Sequence, residues 1–228
     1  MKKDKHDCDL QTCMLCRLCI KEWLPAVDNH RKNFSLKKGQ LLFREGDPVN
    51  GIYFIFSGTV KVHKHWGEEK ELIVRFARKG DIVGHRGVGA EMMYPVSATA
   101  LEPVTLCFID LEFFQASLKV NHALLHELMM FYARELQESE KNMRNLVHMP
   151  VKARIAHALL TLRDKFGNTE DGAIDMTLGR QDLASFTGTT YETAFRVMSE
   201  LIQENVIAVS GKSIAVLNAE KLQELEKL

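Results

Sequence analysis

Between residues 34 and 110 the apolar positions fall in short runs separated by turn punctuation. Gly39, Gly46-Asp47-Pro48, Ser57-Gly58, Gly67 and Lys79-Gly80-Asp81 recur at intervals of roughly ten residues, the spacing of a small barrel or sandwich. The runs between them, 52–56, 59–63 and 72–76, are rich in β-branched and aromatic residues, and 104–109 adds a final apolar strand. This pattern predicts an antiparallel β domain. From about Leu111 the period changes. Residues 118–147 contain no Gly or Pro and are dense in Leu, Met, Ala, Glu and Arg, good helix formers all. A helix of about 30 residues spans about 45 Å, too long for a domain of this size to bury alone. Leu124, Leu128, Phe131 and Leu136 recur at three- to five-residue steps, and Met143 and Val147 continue the stripe. Leu124, Leu128, Phe131, Leu136 and Met143 are therefore expected to form a dimer seam with a second copy. The alternative is a lone helix lying along its own β domain.

Met149-Pro150 ends this helix, because the residue before proline is pushed out of the α region. Beyond it the pattern predicts a helix over about 151–166, a polar loop over 167–172, and two helices split by Thr187-Gly188-Thr189. A hairpin built from 206–209, Gly211 and 214–217 comes last. Helix, glycine turn, helix and hairpin make a winged helix-turn-helix. On its second helix Ala194, Val197, Leu201 and Met198 form the buried face, while Tyr191, Glu192, Phe195, Arg196 and Ser199 project outward. Glu192 and Arg196 share one face near the helix N-terminus, the part that enters a major groove. Arginine there grips guanine O6 and N7, and glutamate accepts from cytosine N4. The helix-start amides near Thr189 and Thr190 suit phosphate, as does Arg180. The plainer alternative is an i,i+4 surface ion pair between Glu192 and Arg196.

Charge changes this picture in one respect. Thirty Lys/Arg balance thirty Asp/Glu, and residues 149–228 carry nine basic against eleven acidic side chains. The DNA reading thus rests on local geometry and not on a basic stripe. Length leaves room for two modest domains. No apolar stretch reaches membrane-spanning length, and the polar start is no secretory signal, so a cytoplasmic protein without membrane contact is expected. Nucleophile–base motifs, phosphate-binding glycine loops and metalloprotease histidine spacings are absent from the sequence, which argues against an enzyme.

Four of the five cysteines, Cys8, Cys13, Cys16 and Cys19, lie within the first nineteen residues, and the fifth is Cys107. In a chain without a secretory signal such clustering points to metal rather than disulfides. C-x2-C-x2-C is a tight iron–sulfur loop that takes a fourth thiolate from elsewhere. Four thiolates with two-residue spacers also build tetrahedral zinc sites, which His6 could join. An iron–sulfur electron carrier would use the same cysteines but leave the winged helix-turn-helix without a role.

The segments Glu192-Thr193-Ala194-Phe195-Arg196, ENVIAVSGKSIAVLN, KKGQLLFREGDPVNGIYFIFSGTVKVHK and RKGDIVGHRGVG resemble the CRP/FNR family of transcription regulators, over residues 35 to about 218. The resemblance implies an α+β architecture: a cysteine-rich segment (1–30), a cyclic-nucleotide-binding-like β-roll sensor (31–116), a dimerisation helix (117–148) and a DNA-binding domain (149–228). It further implies a homodimer that binds a palindromic operator on double-stranded DNA and contacts RNA polymerase. Glu192 and Arg196 would read bases, with a third reader at Tyr191 or Phe195. The nucleotide cassette of that family needs a Glu after its glycine and an Arg-Ser/Thr pair. Here His85 follows Gly84, Tyr94-Pro95-Val96 occupies the place of the pair, and Arg86 is out of position. That argues against cyclic AMP, since a desolvated phosphate would lack its cation. PVSATALEPVTLCFIDLEFF is similar to the FNR branch, where a strand cysteine completes a [4Fe–4S] cluster. By that resemblance Cys107 joins Cys13, Cys16 and Cys19, with Cys8 as an alternate ligand, although the final gap is shorter than in the FNR pattern. Cluster assembly would then reposition the long helix and favour the DNA-binding dimer. Repulsion among Glu135, Glu138 and Glu140 across the seam would keep the cluster-free form weakly dimeric.

Overall fold

A computed structural model describes residues 2–3, 10–67 and 70–227. Cys8 and His6 lie outside the described residues. The chain divides into two compact units, Met1–Lys64 with Val74–Gln137 and His65–Ile73 with Glu138–Leu228.

The first unit, apart from the adjoining ends of β5 and β6 that fall in the second, holds two sheets. One has the order β1 (Lys2–Lys3), β2 (Lys32–Leu36), β9 (Val104–Asp110), β4 (Gly51–Ser57) and β7 (Ile82–Val83). The other has the order β3 (Leu41–Phe43), β8 (Ser97–Ala100), β5 (Val60–Trp66) and β6 (Lys70–Ala77). Successive strand residues face opposite sides of a sheet, and in β4 and β9 both sides are buried. Tyr53, Ile55, Val104 and Leu106 enter one core with Phe43, Val60, Val62 and Ala98. Ile52, Phe54, Cys107 and Ile109 enter a second core. That second core is closed by α1 (Met14–Leu18), α2 (Leu24–His30), α3 (Leu111–Val120) and the start of α4 (His122–His148).

The long helix begins later than its composition suggests. Asn121, only 1% exposed, leaves helical geometry (φ −113°, ψ 84°) and separates α3 from α4. Its Nδ2 donates to the Ser117 carbonyl at 2.8 Å, and its Oδ1 accepts the Ile20 amide at 2.7 Å. An asparagine side chain that bonds backbone in this way offers an alternative to the helical ladder. Glycine and proline are not needed to break the helix here.

The expected seam also divides. Leu124 and Leu128 are buried in the chain's own second core, which leaves these two no face for a partner, and the half-buried Phe131 packs against the same core. The exposed apolar positions of α4 are instead Leu125, Met129, Met130, Leu136, Met143 and Val147, the last three 61%, 64% and 71% exposed. A helix apolar on two sides can pack along its own β domain and still present a second stripe.

In the second unit α5 (Val151–Phe166) starts immediately after Pro150. Next come α6 (Arg180–Thr187), α7 (Tyr191–Gln203) and the hairpin of β10 (Ile207–Ser210) and β11 (Ser213–Val216). A final helix that periodicity had not indicated, α8 (Ala219–Glu226), follows the hairpin. Asn218 caps it by accepting the Lys221 amide at 2.9 Å, and Leu222 and Leu225 are its buried residues. Gly188 sits at the end of α6 with φ +61°, and a Cβ there would meet Leu146 Cδ2 at 2.5 Å. Gly188→Ala is expected to destabilise this unit by about 1–3 kcal/mol, combining left-handed strain with crowding. A thermal melt reporting on the second unit checks it.

Candidate metal centre and nucleic-acid interface

Cys13 immediately precedes the one-turn helix α1, Cys16 lies within it, and Cys19 follows its last residue. A three-residue step is close to one helical turn, so the local fold winds the three side chains around a short axis. Cys13 and Cys16 are buried and Cys19 is half-buried. Cys13 and Cys16 belong to the second core, as does Cys107 of β9, and Cys19 packs against it. Strand parity puts Cys107 there. It pairs across β9 with Asn33 on β2 and Phe54 on β4, and Phe54 shares its face. The Cys107 Sγ donates to Asn33 Oδ1 at 3.3 Å. A side-chain amide carries both an acceptor and a donor, so Asn33 suits thiol and thiolate alike.

The cysteine segment is anchored by polar and aromatic contacts. Besides the Ile20–Asn121 bond, Trp23 Nε1 donates to Ser117 Oγ at 3.0 Å. The rings of Trp23 and His30 stack on Phe113 at 5.7 and 4.0 Å. Burial pushes the Cys19 thiol above its ordinary pKa, as expected where a thiolate has no cation beside it. A cation supplies what desolvation removes, and thiolates release their protons on binding it. The donor chemistry, four soft thiols in or against one apolar cluster, suits a thiolate-bound metal or cluster, although among the described residues no three of these thiols lie within 4.8 Å of one another. A cavity of about 450 Å³, lined by Leu10, Cys16, Leu24, Val27 and Arg31 among others, reaches this region.

On the second unit, Arg180 opens α6 and is exposed, and Tyr191, Glu192, Phe195 and Arg196 are exposed on α7. The opposite side of α7 buries Ala194, Val197, Met198 and Leu201. Among the described residues no ion pair joins Glu192 to Arg196. The Tyr191 and Phe195 rings stack at 6.3 Å, and the Arg180 guanidinium lies 5.3 Å from the Phe195 centroid. That arrangement couples the two outward aromatics to the arginine at the start of α6. The amide expectation needs correction at Thr189, whose N–H donates to the Ala184 carbonyl at 3.0 Å and so closes α6. Thr190 caps α7, its Oγ1 accepting the Thr193 amide at 3.3 Å.

Among the described residues no helix is long and apolar enough to cross a membrane. Residues 33–121 match the family described as cyclic nucleotide-binding domain, and residues 153–225 match the Crp-like helix-turn-helix domain. The transcriptional activator protein anr of Pseudomonas aeruginosa is 29% identical over 218 residues, covering 92% of this chain and 89% of that protein. The anaerobic regulatory protein of Pasteurella multocida is 29% identical over 224 residues, covering 94% and 81%. The structure of FixK2 from Bradyrhizobium japonicum shares the fold, with a TM-score of 0.78 at 22% identity over 86% of this chain and 97% of that one. The two matched domains in this order, with relatives aligned along almost the whole length, make this chain a member of the CRP/FNR family of DNA-binding transcription regulators, with an FNR-like resemblance.

Proposed function

We propose that this regulator senses oxygen or redox state through an iron–sulfur cluster held by Cys13, Cys16, Cys19 and Cys107. The observation that carries this reading is one buried apolar cluster that holds Cys13, Cys16 and Cys107 and has Cys19 packed against it, three cysteines from a tight N-terminal loop and one from a strand. Two relatives named for anaerobic regulation and for transcriptional activation add to it. When bound, a [4Fe–4S] cluster supplies chemistry that oxygen attacks, which zinc does not.

The chain's own residues provide the rest. The thiols bind, the apolar cluster around Cys107 limits water, and the cavity at Cys16 gives a small molecule an approach. Asn121 and Ser117 tie the cysteine segment to the joint at which α4 begins. The exposed stripe of Leu125, Met129, Leu136, Met143 and Val147 would seat a second copy, and such a dimer would bind a palindromic operator in the cytoplasm and contact RNA polymerase. Arg196 and Glu192 would read base edges, Phe195 or Tyr191 would contact a thymine methyl, and Arg180 would meet phosphate.

Metal analysis after strictly anaerobic purification tests the reading. A brown protein with about four irons per chain, bleached by air with loss of operator binding, is expected. A colourless protein with one zinc per chain that binds its operator equally well in air would overturn it, and would favour a structural zinc site.

A further inference from the structure

One buried group of ionisable side chains in the first unit has no part in the cysteine site or the DNA interface. It lies where β6 and the turn after β7 meet α4. A single carboxylate oxygen, Glu135 Oε2, receives Arg86 Nη2 at 2.7 Å and Arg75 Nη1 at 3.4 Å. His85 Nε2 stands 3.8 Å from the same atom. Arg75 is 8% exposed and His85 2%, and neither ring nitrogen of His85 has a hydrogen-bond partner. Arg75 also donates to the Ile82 carbonyl at 3.1 Å and lies 3.6 Å from Asp81, so its guanidinium is also held by the segment that begins β7. Phe131 covers it, with the guanidinium carbon 5.4 Å from the ring centroid. Arg75, His85 and Arg86 come from the β domain and the carboxylate from α4, which also contributes Phe131 over Arg75 and the Tyr132 hydroxyl that donates to the His85 carbonyl at 2.6 Å.

Without Glu135, the buried guanidinium of Arg75 and the half-buried one of Arg86 would have only Asp81 between them and be one negative charge short, a costly arrangement in a poorly solvated site. Two guanidinium groups converge on one carboxylate oxygen, with the His85 ring beside them, in the way that recognises an oxyanion. We propose that Arg75, His85 and Arg86 form an anion site of the phosphate class, whose resident ligand in this chain is the carboxylate of Glu135. The β domain is thereby self-liganded. An external phosphate group finds the cations neutralised, and α4 is secured to the domain by the same contact. Glu135 thus pairs within its own subunit and does not repel a partner across a seam. The inference is independent of which metal the cysteines bind.

The test compares thermal melting of the full-length wild type, Glu135→Ala and Glu135→Gln in sodium phosphate and in sodium chloride at equal ionic strength. Phosphate stabilises many proteins by exclusion from their surface, so the wild-type difference sets the baseline. Glu135→Ala is expected to melt below wild type in chloride and to regain about 5 °C beyond that baseline as phosphate saturates the vacated cations. Glu135→Gln, which keeps side-chain length and removes the charge, should respond in the same direction. Arg86→Ala combined with Glu135→Ala should lose the response. If neither single variant folds in chloride, phosphate is expected to recover soluble protein. Equal phosphate responses in wild type and both variants, or failure of phosphate to recover an insoluble one, would refute the site.

Discussion

Cys107→Ser is expected to give a folded chain that retains essentially no iron after anaerobic purification. Its operator affinity should fall on the order of a hundredfold, the scale of losing the second half-site contact in a bivalent binder. The fold should survive for a local reason. Serine is close to cysteine in size, and the position is 7% exposed in a strand paired on both sides. The Oγ hydroxyl can donate to Asn33 Oδ1 as the thiol does at 3.3 Å, so no buried donor is orphaned. Iron retention is lost because a neutral hydroxyl is a poor substitute for a thiolate. Iron content, circular dichroism and operator binding measured on one preparation separate ligation from folding. Retention of full iron with normal operator binding would remove Cys107 from the ligand set.

Leu124→Ala and Leu136→Ala should have opposite profiles despite lying on one helix. Leu124 is fully buried in the core that also holds the cysteines, so truncation should cost about 2–5 kcal/mol of stability. Leu136 is 61% exposed. Its truncation should change the stability of the isolated chain by less than about 0.5 kcal/mol while weakening self-association. Urea denaturation at low protein concentration reads the first effect, and sedimentation over a concentration series reads the second. A dimer constant unchanged by Leu136→Ala would place the association surface elsewhere.

Much of this architecture was legible because periodicity changes where structure changes. The apolar, β-branched and aromatic runs at 52–56 and 104–109 marked β4 and β9, and Thr187-Gly188-Thr189 marked the break between α6 and α7. What escaped depended on partners remote in sequence. The break at Asn121 requires the amide of Ile20, 101 residues away, and an isolated asparagine in a helical run does not announce such a partner. A stripe of leucines shows that a face is buried but not against what, so Leu124, Leu128 and Phe131 read as a seam when they close their own core. Glu135 looked like one of several acidic residues on a helix until Arg75 and Arg86 were placed opposite it. Helix α8 had a signal that passed unused, an asparagine cap with Leu222 and Leu225 three apart. The short helix α1 had none beyond its cysteine spacing, since five residues are too few for a periodic pattern.

Strand β9 carries a constraint on how such a chain tolerates change in length. Leu106 and Cys107 are neighbours in sequence yet belong to different cores. Deleting or inserting one residue ahead of them would reverse the parity of the strand, turning Cys107 in between the sheets and Leu106 out toward the N-terminal cysteines. Turns such as the one at Gly67 carry no such parity and can lengthen freely. For this strand, therefore, a frame-preserving codon deletion would be as damaging to the proposed cysteine site as loss of the cysteine itself.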